Sequence, residues 1–337
     1  MHEAMFYTQA GDGKVVCGLC HHRCRIAPGG RGRCGVRENQ DGRLISLVYG
    51  RLVAESIDPI EKKPMFHLLP GSSSFSIATV GCNFACLHCQ NAGISQYPSL
   101  HHGQISGVGH SPAAVVAQAE QAGCASISYT YVEPTIFYEF AYDCAVLAKA
   151  RGIKNVFVSN GYMTGEVVRH LAPVLDGINI DLKSFSADFY QQVCKARLEP
   201  VLDTIRLFHE LGVLVETTTL VIPGLNDGDD ELRAIARFLR SVSVNIPWHV
   251  SGFRPTYKML DRPVTPVATL NRAREIGLAE GLRFVYTGNA VGSGGEDTRC
   301  PGCTTLLVHR SGFSSQQLAL RDGHCANCRL PIAGVWR

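Results

Sequence analysis

The sequence predicts an α/β protein, a partial (β/α)6 TIM-like barrel with small Cys-rich metal-binding lobes at both ends. From residue 74 onward, apolar β-branched runs alternate with helical patterns, which implies parallel strands with right-handed crossovers. The chain has 337 residues, which suits one barrel of about 200–250 residues with smaller satellites. We therefore expect an N-terminal four-cysteine segment at 1–70, the barrel at 71–288 and a C-terminal four-cysteine lobe at 289–337.

The first segment predicts a metal site. Gly29 and Gly30 lie among its four cysteines and let the backbone turn tightly around an ion. Zinc is the simplest occupant, and a second Fe–S cluster would use the same four thiolates. We expect the neighbouring His21 and His22 to be solvated. The cysteines are Cys17, Cys20, Cys24 and Cys34.

The barrel elements follow from periodicity. The helix at 231–242 is typical, because its apolar residues recur on one face. The predicted strands are 75–80, 125–130, 153–159, 177–182, 214–221, 248–253 and 284–287, the last added at the edge of the sheet. The predicted helices are 112–122, 136–150, 164–171, 199–211, 231–242 and 267–280.

Three cysteines follow the first predicted strand, and we expect them to carry the chemistry. Cys82, Cys86 and Cys89 are spaced three and then two residues apart. A [4Fe–4S] cube that is held only by protein takes four thiolates, so three leave one iron open to an exogenous ligand. Catalytic metal sites keep such an open position. A zinc knuckle would need a fourth ligand close by, and a disulfide pair is the other structural alternative.

The other polar residues of the barrel also lie at strand ends, where barrel enzymes place their active sites. This ordered set is not expected of a merely structural barrel. The candidates are Glu133, Pro134, Ser159, Asn160, Asp181, Lys183 and His249.

The C-terminal lobe contains two Cys-x2-Cys hooks separated by a predicted hairpin at 306–310 and 317–321. This is the frame of a zinc ribbon, in which four thiolates close a tetrahedron around zinc. Rubredoxin-like iron, with an electron-transfer role, is the alternative. The ligands are Cys300, Cys303, Cys325 and Cys328.

Composition narrows the classes of partner to be expected. The net charge of only +3 gives no strongly basic field for a long nucleic-acid footprint, although a short one stays open. Close-spaced cysteine groups in a long chain indicate metal sites in a reducing cytoplasm. No apolar run approaches the ~20 residues of a membrane helix, and no signal peptide is apparent. We expect a cytoplasmic enzyme without a membrane partner.

The Cys-x3-Cys-x2-Cys loop resembles the signature of the radical S-adenosylmethionine (SAM) superfamily. The whole chain resembles the radical SAM enzyme of the AmmeMemoRadiSam system, which is similar to pyruvate formate-lyase activating enzymes. Stretches that carry this resemblance are 17–39, 129–135, 181–183, 222–226, 247–259 and the cysteine ribbon. The resemblance implies a radical SAM barrel, a [4Fe–4S] cluster at Cys82, Cys86 and Cys89, bound SAM, and a reductant such as flavodoxin or ferredoxin.

Roles for the remaining residues are also implied by the resemblance. His88 takes the position of an aromatic that packs on the SAM adenine. Glu133, followed by Pro134, matches part of the Gly-Gly-Glu-Pro motif that binds the SAM amino group. Ser159 and Asn160 match a position that contacts ribose and methionine.

The resemblance also implies two sites further along the chain. Asp181 and Lys183 match an Asp-x-Lys pair whose lysine approaches the SAM carboxylate. His249 matches a histidine near the adenosine end, and a satisfied core histidine is its structural alternative.

The implied reaction is reductive cleavage of SAM to a 5′-deoxyadenosyl radical, which abstracts hydrogen from a substrate. A protein or peptide substrate is suggested by the activating-enzyme resemblance. Radical modification of a small metabolite or nucleotide is an alternative. A non-catalytic Fe–S/zinc binding or electron-transfer protein is the interpretation outside enzymology.

Overall fold

An eight-stranded sheet forms the centre of the structure, a computed structural model that describes residues 2–289 and 294–337. Its strands are β1 Ala54–Pro59, β2 Ser73–Ala78, β3 Ser126–Tyr129, β4 Lys154–Ser159, β5 Gly177–Asp181, β6 Leu214–Val221, β7 Trp248–Gly252 and β8 Val285–Gly288. They follow one another across the sheet in chain order. β2 to β8 are parallel, and β1 pairs antiparallel with β2. This partial barrel confirms the predicted fold class.

Helices connect the parallel strands. They are α1 Pro112–Gln121, α2 Tyr138–Ala150, α3 Gly165–Leu171, α4 Glu199–Glu210, α5 Asp229–Val242 and α6 Val267–Ala279. In α5 the buried face consists of Leu232, Ile235, Ala236, Phe238 and Leu239, as its period predicts. Every predicted strand and helix of the barrel is present within two residues at either end.

The N-terminal segment packs directly on the barrel. Val15, Leu19, Ile26 and Val36 belong to the same buried core as the barrel residues. A four-residue strand of this segment is Arg43–Ser46. The other short strands of this segment are His2–Glu3, Tyr7–Gln9, Val15–Cys17, Arg25–Ile26, Arg37–Gln40 and Arg51–Leu52. Because β1 comes from this segment, the sheet begins before residue 71.

The C-terminal lobe contains a hairpin whose second strand differs from the prediction. Leu306–Ser311 pairs with Ser314–Gln317 around a two-residue turn, and Gly312 supplies the positive φ of +59° there. Leu320–Arg321 pairs instead with His324–Cys325. The predicted strand at 317–321 was therefore wrong. Because the turn has only two residues, the second strand of the hairpin begins at Ser314 and ends at Gln317. Thr298–Arg299 completes the small sheet.

Short elements complete the chain. The short helices are Ala92–Ser95, Tyr97–Leu100 and Ala187–Phe189, with 3-10 turns at Ile60–Lys62, Pro134–Phe137 and Ala172–Val174 and a π-helical turn at Tyr190–Cys194. The strand Val108–Gly109 pairs with Arg51–Leu52. In the described ranges we find no helix with the length and apolar character to cross a membrane.

Candidate active site

The cysteine loop leaves β2 at the end of the sheet where barrel enzymes carry their chemistry. Its backbone is held by a distant segment, since Ala85 N donates to Cys194 O at 3.2 Å and Leu87 N donates to Val193 O at 3.0 Å. Phe84 N donates to Cys82 Sγ at 3.4 Å. These contacts fix the path of the loop between its first and third cysteines.

The spacing of the loop sulfurs differs from that of a single-ion site. Within residues 2–289 and 294–337, the ligand atoms of one Cys/His/acidic group all lie within 4.8 Å of one another, and this group is Cys300, Cys303, Cys325 and Cys328. Zinc, with Zn–S bonds of about 2.3 Å, requires such proximity. Cys82, Cys86 and Cys89, all of them described residues, do not form a group this tight. A cubane is larger than one ion, so its cysteine ligands need not form a group this tight.

Two buried polar atoms beside the loop cysteines have no hydrogen-bond partner in the part of the chain that the structure describes. They are Asn83 Nδ2 and His88 Nδ1. His88 is buried and packs against Phe189. Burial and the charge of Lys183 lower the pKa of His88 to about 3. A buried neutral imidazole and an unpaired amide are groups that a bound polar ligand would satisfy, so the residues present fit a cluster with SAM beside it.

Glu133 is a buried hydrogen-bond acceptor that several neighbouring donors hold in place. Its Oε1 accepts from Thr135 N at 3.1 Å, from Thr135 Oγ1 and from Ser159 Oγ at 2.8 Å, and its Oε2 accepts from Asn160 N at 2.7 Å. Burial raises the pKa of this carboxyl against the opposing effect of these hydrogen bonds. A carboxylate offers about four acceptor positions. Since most of these hydrogen bonds go to Oε1, Oε2 can still accept a further hydrogen bond. Pro134, the next residue, starts a 3-10 turn.

The structure joins Asn160 to the cysteine loop. Asn160 Nδ2 donates to Asn83 Oδ1 at 2.7 Å, and Asn160 N binds Glu133. Gly161, with φ +70°, approaches Ile180 so closely that a Cβ would lie 2.8 Å from its Cγ2. The turn after β4 therefore holds Ser159 and Asn160 against both the loop and Glu133.

Asp181 and Lys183 form an ion pair at the end of β5. Lys183 Nζ lies 2.8 Å from Asp181 Oδ2, and the lysine side chain is 14% exposed. Although burial opposes it, the charge of Asp181 raises the pKa of Lys183 well above its usual range. Asn226 Nδ2 donates to Lys183 O at 2.7 Å. A charged, nearly buried lysine therefore stands beside His88 and the loop.

His249 has its contacts elsewhere. Its Nε2 donates to Glu216 Oε2 at 2.7 Å, and its ring packs edge-on against Phe66. Burial raises the pKa of Glu216, but the hydrogen bond from His249 is the largest of the effects that outweigh burial and lower this pKa. None of the described contacts of His249 is with the cysteine loop or Glu133. The structure thus does not bring His249 together with the other candidates.

Several neighbours of the site were not singled out as site residues from the sequence. Asn83 and Thr135 adjoin predicted residues and could have been found from that adjacency. Cys194 carried no such signal, since it lies far from the loop in sequence. Its thiol donates a hydrogen bond to Cys86, which lowers the pKa of Cys86. The expectation that His21 and His22 are solvated was wrong, because both are half-buried against Tyr162 and His22 also packs against Phe84.

Comparison with known proteins agrees with this geometry. Residues 76–239 match the model of the Radical SAM superfamily. The chain is 46% identical over 331 residues to the uncharacterized protein MJ0808 of Methanocaldococcus jannaschii, which covers 98% of this chain and 97% of that protein. It is 31% identical over 156 residues to the isethionate sulfite-lyase activating enzyme of Desulfovibrio desulfuricans, over 43% of this chain and 49% of that enzyme.

A solved structure shows the same fold. Streptococcus suis SuiB matches with a TM-score of 0.52 at 14% sequence identity, over 69% of this chain and 52% of that chain. The family match, the partial barrel and the three-cysteine loop all agree. This chain belongs to the radical SAM superfamily, whose members use a [4Fe–4S] cluster and SAM.

Proposed function

We propose that the protein cleaves SAM reductively and uses the resulting radical to abstract hydrogen from a substrate. The three-cysteine loop, joined through Asn160 to the acceptor Glu133, is the observation that carries this proposal. A [4Fe–4S] cluster bound by Cys82, Cys86 and Cys89 would supply the electron that breaks the sulfonium bond and yields methionine and the 5′-deoxyadenosyl radical.

The surrounding residues bind and orient SAM in this proposal. Glu133 Oε2 keeps acceptor capacity for the SAM ammonium group. Lys183, held in its charged form by Asp181, pairs with the SAM carboxylate. Buried His88, neutral at physiological pH, packs on the adenine without adding a charge. Ser159 and Asn160 hold Glu133 in place and line the ribose and methionine side.

We further propose a protein or peptide as substrate. The match to an enzyme named as activating another enzyme supports this class. Membership of the AmmeMemoRadiSam system is proposed on the motif resemblance. A reductant such as flavodoxin or ferredoxin would supply the electron, and the cysteine groups favour a reducing cytoplasm. His249 keeps its structural pairing with Glu216 in this proposal, and so has no assigned role toward SAM.

We assign zinc to the C-terminal lobe. Its four sulfurs lie within 4.8 Å of one another, which suits a closed tetrahedral thiolate site. Phe66, Phe284 and Tyr286 of the barrel side share one buried cluster with Leu307 and Val308 of the lobe. The ion therefore stabilises a lobe that covers this end of the sheet.

An anaerobic assay tests the activity. Reconstituted protein is given SAM and dithionite, and 5′-deoxyadenosine is measured by chromatography. We expect formation in the native protein and loss of more than about 99% in Cys86→Ala, because the cluster loses a ligand. Cys124→Ala, which changes a buried cysteine outside the metal groups, is the matched control.

Two outcomes would contradict the proposal. Native protein that makes no 5′-deoxyadenosine would support the non-catalytic alternative. Unchanged cleavage in Cys86→Ala would remove the loop from the chemistry. Deuterated candidate peptides and metabolites then identify the substrate class, since label appears in 5′-deoxyadenosine only from the molecule that donates hydrogen.

A further inference from the structure

The four N-terminal cysteines line one cavity beside the radical SAM loop. Cys17 is buried, and the other three are partly buried. Chain segments far apart in sequence complete the wall. The other lining residues are Leu19, His22, Gly32, Arg33, Arg37, Asn83, Thr135 and Ile136. The cavity therefore shares Asn83 and Thr135 with the shell of the candidate active site.

The cysteines of this cavity, like those of the loop, do not form the tight sulfur group that the described ribbon cysteines form. Among the residues that the structure describes, no three of these cysteines form a group within 4.8 Å, whereas the ribbon cysteines do. The same chain thus provides its own comparison between a single-ion site and a cluster site. The N-terminal sulfurs are thus not gathered as the ribbon sulfurs are, an arrangement that an occupant larger than one ion would suit.

A buried cation lines the same cavity. Arg37 is 1% exposed, and its Nε has no hydrogen-bond partner among residues 2–289 and 294–337. Its Nη2 is occupied, since it lies 2.9 Å from Glu139 Oε1 and also donates to Met5 O at 2.7 Å. An unpaired guanidinium N–H in a cavity of thiols is a donor for the sulfur atoms of an anionic occupant.

From this geometry we propose that Cys17, Cys20, Cys24 and Cys34 bind a second [4Fe–4S] cluster. Four thiolates ligate all its irons, so it has no open position for SAM. The sequence made zinc the simplest occupant, and the sulfur spacing now favours the cluster. This inference does not rest on the proposed SAM cleavage.

Close contacts connect the two cysteine sites. His22 Nε2 donates to Asn83 O at 2.8 Å. A Cβ on Gly81, the residue before the first loop cysteine, would lie 2.9 Å from Cys34 O. A closed cluster this near the SAM-binding loop is suited to electron transfer, because neither substrate nor SAM needs to reach it.

Metal analysis of the anaerobically purified native protein is the first test. We expect about eight irons and about one zinc per chain, since each cube holds four irons. About four irons and two zincs would overturn the inference. Cys124→Ala/Cys144→Ala, which changes buried cysteines outside the three groups, is the control and should keep about eight irons.

Removing each set of ligands in turn separates the two sites. Cys82→Ala/Cys86→Ala/Cys89→Ala should keep about four irons and, after dithionite, an electron paramagnetic resonance signal that SAM does not change. Absence of iron in this folded variant would overturn the proposal. Cys20→Ala/Cys24→Ala should retain about four irons and a signal that SAM does change, and eight irons in it would equally overturn the proposal.

The outcomes are distinct from those of the proposed function. Formation of 5′-deoxyadenosine by native protein with only four irons would sustain the SAM chemistry and reject the second cluster. Eight irons without 5′-deoxyadenosine would do the reverse. Circular dichroism of each variant shows whether its iron content belongs to a folded chain.

Discussion

At the scale of residues, the candidate site depends on the hydrogen bonds that a buried carboxylate accepts. Glu133 is 3% exposed and accepts hydrogen bonds from Thr135, Ser159 and Asn160. Such bonds to a charged group offset the cost of burying it. In the proposed function, the donors thus keep an anionic acceptor available for the SAM ammonium group.

Thr135→Val tests this arrangement with little change in shape. The variant removes the hydroxyl donor to Glu133 Oε1 and leaves the backbone N–H in place. We expect the free energy of unfolding to fall by about 1.5–3 kcal/mol, the range for a hydrogen bond to a charged group, and SAM affinity to fall about tenfold. Denaturant titration and calorimetry measure the two effects.

Thr204→Val is the matched control. Thr204 is also buried, but its hydroxyl donates to Pro200 O within α4, which is a neutral carbonyl. We expect a loss of about 1 kcal/mol or less and unchanged SAM affinity. Equal losses in the two variants would show that the charge of Glu133 is not what Thr135 stabilises.

At the scale of elements, the cysteine loop depends on a close approach between two chain segments. Gly81 has φ +99°, and an added Cβ would lie 2.6 Å from Val36 Cγ1 as well as 2.9 Å from Cys34 O. Glycine adopts this conformation without steric cost. The strand β2 can therefore turn into the loop while the N-terminal segment packs against it.

Gly81→Ala should weaken both cysteine sites. We expect the free energy of unfolding to fall by more than about 2 kcal/mol, because strained backbone and overlap with Cys34 O add together. Iron content after reconstitution should fall as well. Thermal unfolding and iron analysis check these outcomes.

Gly93→Ala provides the comparison. Gly93 lies in the short helix Ala92–Ser95, and among the described residues no atom beyond its chain neighbours and the local helix backbone lies within 4 Å of an added Cβ. Alanine there should be neutral or stabilise by up to about 1 kcal/mol. If Gly81→Ala retained native stability and iron content, close packing between loop and N-terminal segment would not position the cysteines.

At the scale of the whole molecule, His67 joins the barrel to the C-terminal lobe. Its Nδ1 donates to Ala333 O at 2.7 Å, and its Nε2 accepts from Tyr286 Oη at 2.7 Å. Burial lowers the pKa of His67 to about 4, although the charge of Glu216 opposes this and Arg310 and His249 add to it. The joint therefore requires a neutral imidazole.

Acid should destabilise the contact that His67 makes between the barrel and the C-terminal lobe. Because the folded pKa lies below the unfolded value near 6.5, the contribution of His67 is complete above pH 6.5 and is lost as pH falls toward 4. We expect this group to remove up to about 3 kcal/mol of unfolding free energy in that window. Denaturant titrations at several pH values measure the slope.

His67→Gln should flatten that slope. The glutamine side chain has an amide donor group and a carbonyl acceptor but does not titrate. The free energy of unfolding of the variant should therefore vary less between pH 6.5 and 4 than that of the native protein. His102→Gln, at an exposed histidine, should leave the slope unchanged. A slope in His67→Gln as steep as in the native protein would mean that His67 does not control the acid response.

The amino-acid sequence by itself determined the order and type of the barrel elements. It also determined which cysteines are grouped by their spacing along the chain. Hydrophobic period and strand-end position are local properties, so α5 and the loop after β2 could be predicted from short stretches. The lobe hairpin was placed wrongly at its second strand, because the turn at Gly312 sets the register.

Only the tertiary structure decided which distant groups meet. Cys194 reaches Cys86, Asn160 reaches Asn83, and Cys34 lies against Gly81. Each pair joins segments far apart in sequence, and no local period encodes such a contact. The same holds for the spacing of the sulfurs, since thiol positions follow from packing of whole segments. That the ribbon sulfurs gather within 4.8 Å of one another is therefore seen only in three dimensions.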